Sequence, residues 1–188
     1  GMDWTVFRYG GGRNPDTISS PEFYPTLTFR DEIHTDDNTV WMNDCAVDYS
    51  KGVGIRMGNA RIRNMYINYC AHGIQVTSTS CELTNSTIAN NTGYPILIDG
   101  LKVTLDQADS ETSNYFIEEF SGNNFYNNGQ NYFALGGRME LVKGDDIPGP
   151  MTFELDWRKL TIPYMVTSPL EVSGLEINLE QGALIKFK

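Results

Sequence analysis

The chain has 188 residues, 40% of them hydrophobic, which is enough for one domain with a packed core. Its 24 acidic residues outnumber 14 basic ones, giving a net charge of −10. That balance argues against nucleic acid and anionic membranes as partners, because both demand a basic face. No apolar run approaches the roughly 18 residues needed to span a bilayer. The three cysteines, Cys45, Cys70 and Cys81, lack metal-ligand spacing and allow at most one internal disulfide.

Taken in chain order, the sequence repeats one short frame. The first copy places Met2, Trp4, Phe7 and Tyr9 at four positions, and an apolar-x-apolar pair, Leu27/Phe29, follows after a loop at 10–26. The second copy has Met42, Asp44, Val47 and Tyr49, with the pair Val53/Ile55. The third has Ile62, Asn64, Ile67 and Tyr69, with Ile74/Val76. The fourth has Leu83, Asn85, Ile88 and Asn90, with Ile96/Ile98. The fifth has Phe120, Gly122, Phe125 and Asn127, with Phe133/Leu135.

The undecorated period is 62−42=20 and 83−62=21 residues, too short for helical repeats. Alternating apolar residues separated by Gly, Asn, Ser and Thr predict strands and tight corners throughout. Stacked repeats of this kind would form a parallel β solenoid. Asparagine suits its corners because it tolerates unusual backbone angles and bonds locally to the main chain. Asp44, Asn64 and Asn85 are expected to form a hydrogen-bonded ladder that Gly122 continues, and Tyr49 is expected to stack on Tyr69.

The motifs "STIANNTGYPILI" and "NNFYNNGQNYFAL" resemble coils of right-handed parallel β-helix proteins, the pectate-lyase-like superfamily. The segment "IPYMVTSPLEVSGLEINLEQGALIKF" resembles a linker of large secreted bacterial β-helix proteins, and "WTVFRYGGG" resembles one of their coils. The resemblance implies an all-β fold, a single-stranded right-handed parallel β-helix of about five coils. Residues 1–188 then form one domain: coils over 1–137, and a linker with the start of a further coil over 138–188. It implies a piece of a longer solenoid, secreted or at a cell surface, although no signal peptide opens this sequence. Open solenoid ends would favour homo-oligomers.

Function on a solenoid sits in insertions. The frame leaves loops at 10–26, 30–41 and 99–119. The second and third are acidic and aromatic, so Asp36, Asp37, Trp41, Asp109 and Tyr115, with Tyr24 from the first, are the candidate ligand-binding residues. Asp106 and Glu111 extend the acidic set, whose clustered carboxylates suit Ca²⁺. The aromatics suit sugar rings, so the expected partner is a polysaccharide or a cell-surface glycan.

Pectin-hydrolysing relatives carry Asp-Asp, Gly-His-Gly and Arg-Ile-Lys motifs. This chain offers Asp36-Asp37, Ala71-His72-Gly73 and Arg61-Ile62-Arg63, with the middle motif incomplete and the basic one too early. Arg61 and Arg63 flank an inward Ile62 and are expected to face solvent. A Ca²⁺-dependent lyase needs stacked acids, yet Asn64 and Asn68 follow Asp44 and Asp48 in the next copy. No catalytic residue is assigned. The expected function is a non-enzymatic module, either a structural stalk or a glycan-binding platform. The alternative is a polysaccharide lyase or glycoside hydrolase that uses the loop-bearing face.

Overall fold

The computed structural model describes residues 2–3, 5–8, 10, 25–29, 40–58, 60–77, 81–105, 117–143 and 153–188. Among these there are strands and turns and no helix. The first repeat contributes β1 (Met2–Asp3), β2 (Val6–Arg8) and β3 (Leu27–Phe29). The second contributes β4 (Val40–Asn43), β5 (Ala46–Asp48) and β6 (Val53–Met57), and the third β7 (Ala60–Arg63), β8 (Tyr66–Asn68) and β9 (His72–Val76). The fourth contributes β10 (Cys81–Thr84), β11 (Thr87–Ala89) and β12 (Ile96–Leu105), and the fifth β13 (Ile117–Ser121), β14 (Asn124–Tyr126) and β15 (Phe133–Lys143). Four strands follow: β16 (Phe153–Trp157), β17 (Tyr164–Ser173), β18 (Leu175–Leu179) and β19 (Ile185–Phe187).

Each repeat gives one strand to each of three parallel sheets. The first sheet runs β1-β4-β7-β10-β13 and the second β2-β5-β8-β11-β14. The third runs β3-β6-β9-β12-β15-β17-β19, while β16 and β18 form a separate parallel pair. The all-β class and the parallel stacking are therefore as the repeat predicts.

Like residues stack because the register joins equivalent positions. Met42, Ile62 and Leu83 face inward from the first sheet, and Val47, Ile67 and Ile88 from the second, all essentially buried. In the third sheet Ile55 pairs with Ile74, and Met57 with Val76. The inward pair of the second repeat is thus Ile55 and Met57 rather than Val53 and Ile55. Val53 pairs with His72, two residues earlier in the frame.

The strands are also longer than the repeat implies. β12 runs through Asp99–Leu105, a span read from sequence as the start of the 99–119 loop. Gly100 (φ 83) and Gly137 (φ 74) allow a register shift, after which Leu101 pairs with Met139 and the ladder continues to Leu105 and Lys143. The alternation in "LKVTL" favours this extension. Likewise the 30–41 loop ends early, because Val40 and Trp41 belong to β4.

The corners adopt the backbone that the frame predicts. Between the first and second sheets, Asp44, Asn64 and Asn85 have φ of 55, 52 and 50°, and Gly122 has 67°. Between the second and third sheets, Tyr49, Tyr69, Asn90 and Asn127 lie at 53–60°. Tyr49 and Tyr69 stack with ring centroids 4.9 Å apart.

The predicted side-chain ladder through Asp44, Asn64 and Asn85 gives way to a different one. Asn64 Nδ2 donates to Asn43 Oδ1 instead (2.9 Å). The buried ladders belong to the residue after each corner. Asn91 Oδ1 accepts from the Cys70 N–H (2.9 Å), and Asn128 Oδ1 accepts from the N–H and the side-chain amide of Asn91 (3.1 and 2.9 Å). At the other corner, Asn123 Oδ1 accepts from the Ser86 N–H (2.9 Å), Ser86 Oγ from the Met65 N–H (3.1 Å), and Cys45 Sγ from the Thr5 N–H (3.4 Å). The reason is geometric: a left-handed residue turns the chain, and the next amide points along the stack, away from strand partners. A short polar side chain from the following repeat receives it.

Candidate functional site

The outer face of the first sheet carries the site. Its apolar residues point inward, so the residues beside them point outward by strand alternation. The register aligns Trp41 with Arg61, Glu82 and Glu119 in one outward column, and Asn43 with Arg63 and Thr84 in the next. A shallow groove of roughly 680 Å³ lies over these columns, lined by Trp41, Asn43, Arg61, Arg63, Asn64 and Asn85. Trp41 is 45% exposed, high for the side chain that buries most apolar area.

Glu82 organises the groove. Its Oε1 receives Arg61 Nε at 2.8 Å, and its Oε2 receives Arg63 Nη2 at 2.9 Å. Glu119 lies 3.9 Å from the same Arg63 nitrogen. The hydrogen bond and the charge of Glu82 raise the Arg63 pKa above its ordinary value. Glu82 is buried while the two arginines are half-exposed, so the carboxylate anchors both guanidiniums from beneath. Each guanidinium carries five N–H donors and spends only part of them on Glu82. The amides of Asn43, Asn64 and Asn85 add donors and acceptors along the corner. An exposed indole beside a row of planar polar groups can pack against an apolar ring face while bonding to hydroxyls around it.

The sequence-predicted residues fall unevenly. Trp41 lies in this groove. Tyr24, Asp36, Asp37, Asp109 and Tyr115, together with Asp106 and Glu111, lie outside the described residues. Among the described residues, no group of three His, Cys, Asp or Glu side chains is gathered as a metal ion would require. Arg61 and Arg63 are exposed on the first sheet, as their flanking of Ile62 predicts, whereas His72 opens β9 in the third sheet. His72 is half-buried, stacks on Tyr94 and accepts the Tyr94 N–H at Nδ1 (3.0 Å); burial lowers its pKa. Asp48 bonds to Arg8 and to Asn68, each at 3.4 Å.

Sequence reasoning passed over Arg61, Arg63 and Glu82 as groove residues. The signal was present: Trp41, Arg61, Glu82 and Glu119 each precede the first apolar position of their repeat. No family model, curated protein or solved structure matches the chain.

Proposed function

We propose that this chain is a right-handed, single-stranded parallel β-helix of the pectate-lyase-like kind, serving as a non-enzymatic glycan-binding module of a bacterial surface or secreted protein. The strand order supports the helix: each repeat visits three parallel sheets in the same sequence. Parallel crossovers are right-handed almost without exception. The third sheet extends past the fifth repeat through β17 and β19, which supports a further partial coil.

The groove carries the functional reading. It presents one aromatic face, two anchored guanidiniums and three amides on a sheet, and among the described residues its lining includes no carboxylic acid, histidine or thiol. Glycoside hydrolysis works with two carboxylates at the scissile bond. The carboxylate beneath this groove, Glu82, has both oxygens engaged by arginine. Binding therefore fits the groove better than hydrolysis.

A glycan array, run with and without Ca²⁺, tests the reading. The wild-type chain should retain a subset of glycans. Trp41→Ala and the double variant Arg61→Ala/Arg63→Ala should weaken that binding by tenfold or more, with an unchanged circular dichroism spectrum. Retention of no glycan would overturn the proposal. Release of new reducing ends or unsaturated sugars from a bound polysaccharide would replace it with the lyase or hydrolase reading.

A further inference from the structure

The second sheet has an outer face of a different character. Phe7, Val47, Ile67, Ile88 and Phe125 turn inward, so Tyr66 on β8 and Tyr126 on β14 turn outward. Strand β11 separates them, yet their hydroxyl oxygens stand 3.5 Å apart. Both rings must therefore lean toward each other across β11. The residues beneath agree: Ala89 and Asn68 point outward but are only 0% and 6% exposed. Tyr66 and Tyr126 remain 50% and 41% exposed, so they lie along the sheet and show their faces to solvent.

At the adjoining corner Tyr69 is also exposed and stacks on Tyr49. Tyr69 follows Tyr66 by three residues in the same repeat, and Tyr66 in turn meets Tyr126. Four exposed tyrosines from three repeats thus form one aromatic tract running along the stacking direction. Among the described residues, the outward positions of this sheet carry charge at Arg8 and Asp48 alone. The ionic pair on this face, Arg8 with Asp48, sits at the first two repeats and neutralises itself.

The geometry points to a second binding site here, for an uncharged, extended, β-linked polysaccharide lying parallel to the stack. Three features select that ligand. Exposed ring faces match the C–H faces of pyranose rings, and the hydroxyls at their rims match sugar hydroxyls. Successive repeats advance by about 4.7–4.9 Å, and the Tyr49–Tyr69 stack measures 4.9 Å. Tyr66 and Tyr126 come from repeats two apart, so the tract between them spans about two such steps, roughly 9.5 Å, the length of about two sugars in an extended β-linked chain. Finally, a neutral tract on a chain of net charge −10 repels acidic polymers and offers cationic ones no ion pair. This site stands on a different sheet from the Trp41 groove and does not depend on it.

The test uses affinity electrophoresis of the whole chain through gels containing neutral β-glucan, with polygalacturonate as the acidic control. The expected result is retardation by β-glucan alone. Tyr66→Ala/Tyr126→Ala should weaken it at least tenfold, and Phe187→Ala, which removes an exposed aromatic on the third sheet, should leave it intact. Where the double variant fails to fold, tetranitromethane nitration of the wild-type chain replaces it. Soluble β-glucan should then protect Tyr66, Tyr69 and Tyr126, as mapped by mass spectrometry. Absence of retardation, or retardation without protection of these tyrosines, would overturn the proposal. So would concentration-dependent self-association abolished by the tyrosine variants, which would assign the face to a second copy of the chain.

Discussion

Replacing Asn91 with alanine separates two roles that asparagine plays at these corners. Asn91 is buried, with 2% exposure. Its side chain accepts from the Cys70 N–H (2.9 Å) and donates to Asn128 Oδ1 (2.9 Å) and, more weakly, to the Ile67 carbonyl (3.4 Å). Truncation leaves the Cys70 amide buried without its acceptor, which costs about 1–3 kcal/mol. Asn128 Oδ1 keeps the Asn91 N–H, so losing the amide donor adds only about 1 kcal/mol. The expected total is about 2–4 kcal/mol, a large share of the roughly 5–15 kcal/mol that stabilises a typical domain. The neighbouring Asn90 has φ 56° and is only half-buried, so it acts through its backbone. Asn90→Ala should cost about 1 kcal/mol and Asn90→Gly close to nothing. Urea denaturation followed by circular dichroism measures all three, with similar m-values expected. If Asn91→Ala costs no more than Asn90→Ala, the assignment of the buried ladder to Asn91 fails.

Three further outcomes follow from the same structure. Gly122 has φ 67°, and a β-carbon there would meet Asn85 Oδ1, so Gly122→Ala should cost at least about 1–2 kcal/mol in urea, with Asn85→Gly relieving the contact portion. Burial lowers the folded-state pKa of His72, so its contribution is complete above the unfolded value near 6.5 and is lost as pH falls through the folded pKa; His72→Asn, which can keep the Tyr94 bond, should flatten the urea midpoint between pH 7.5 and 5. Burial pushes the Cys70 thiol up to about 11, so iodoacetamide at pH 8 should label it only at the rate of unfolding, and rapid labelling of the native chain would contradict its burial.

Much of the fold was legible because one period governs every layer. Aligning Ile62 with Leu83 was enough to place Ile67 on Ile88 and to mark Asn64 and Asn85 as left-handed corners. The second repeat misled by two residues, because Val53 is as apolar as Ile55 and only the pairing with His72 separates them. The ladder was misassigned for a similar reason. Asn90 and Asn91 are adjacent and identical, and sequence does not say which amide turns the backbone and which reaches into the stack. The candidate site was legible in outline: Trp41 was named, but its neighbours Arg61 and Glu82 come from other repeats and meet it only through strand pairing. The tyrosine tract was hidden further, since Tyr66 and Tyr126 occupy different outward columns and meet only by leaning across β11.

The corner ladders also have a direction. The Thr5 amide is received by Cys45, the Met65 amide by Ser86, the Cys70 amide by Asn91 and the Ser86 amide by Asn123, and in each case the acceptor belongs to the repeat that follows. Main-chain bonds run the other way, since the corner carbonyls of Thr5, Cys45, Met65 and Ser86 accept the Ala46, Tyr66, Thr87 and Asn124 amides of the repeat that follows, so only the side-chain ladder is one-directional. During synthesis from the amino terminus, each newly emerged repeat closes the open corner amides of the one before it, and the unsatisfied edge moves forward with the growing chain. Removing repeats from the carboxyl side would take away the side-chain acceptors of the Met65 and Cys70 amides, whereas removing them from the amino side would take away the carbonyls that receive the Ala46 and Tyr66 amides.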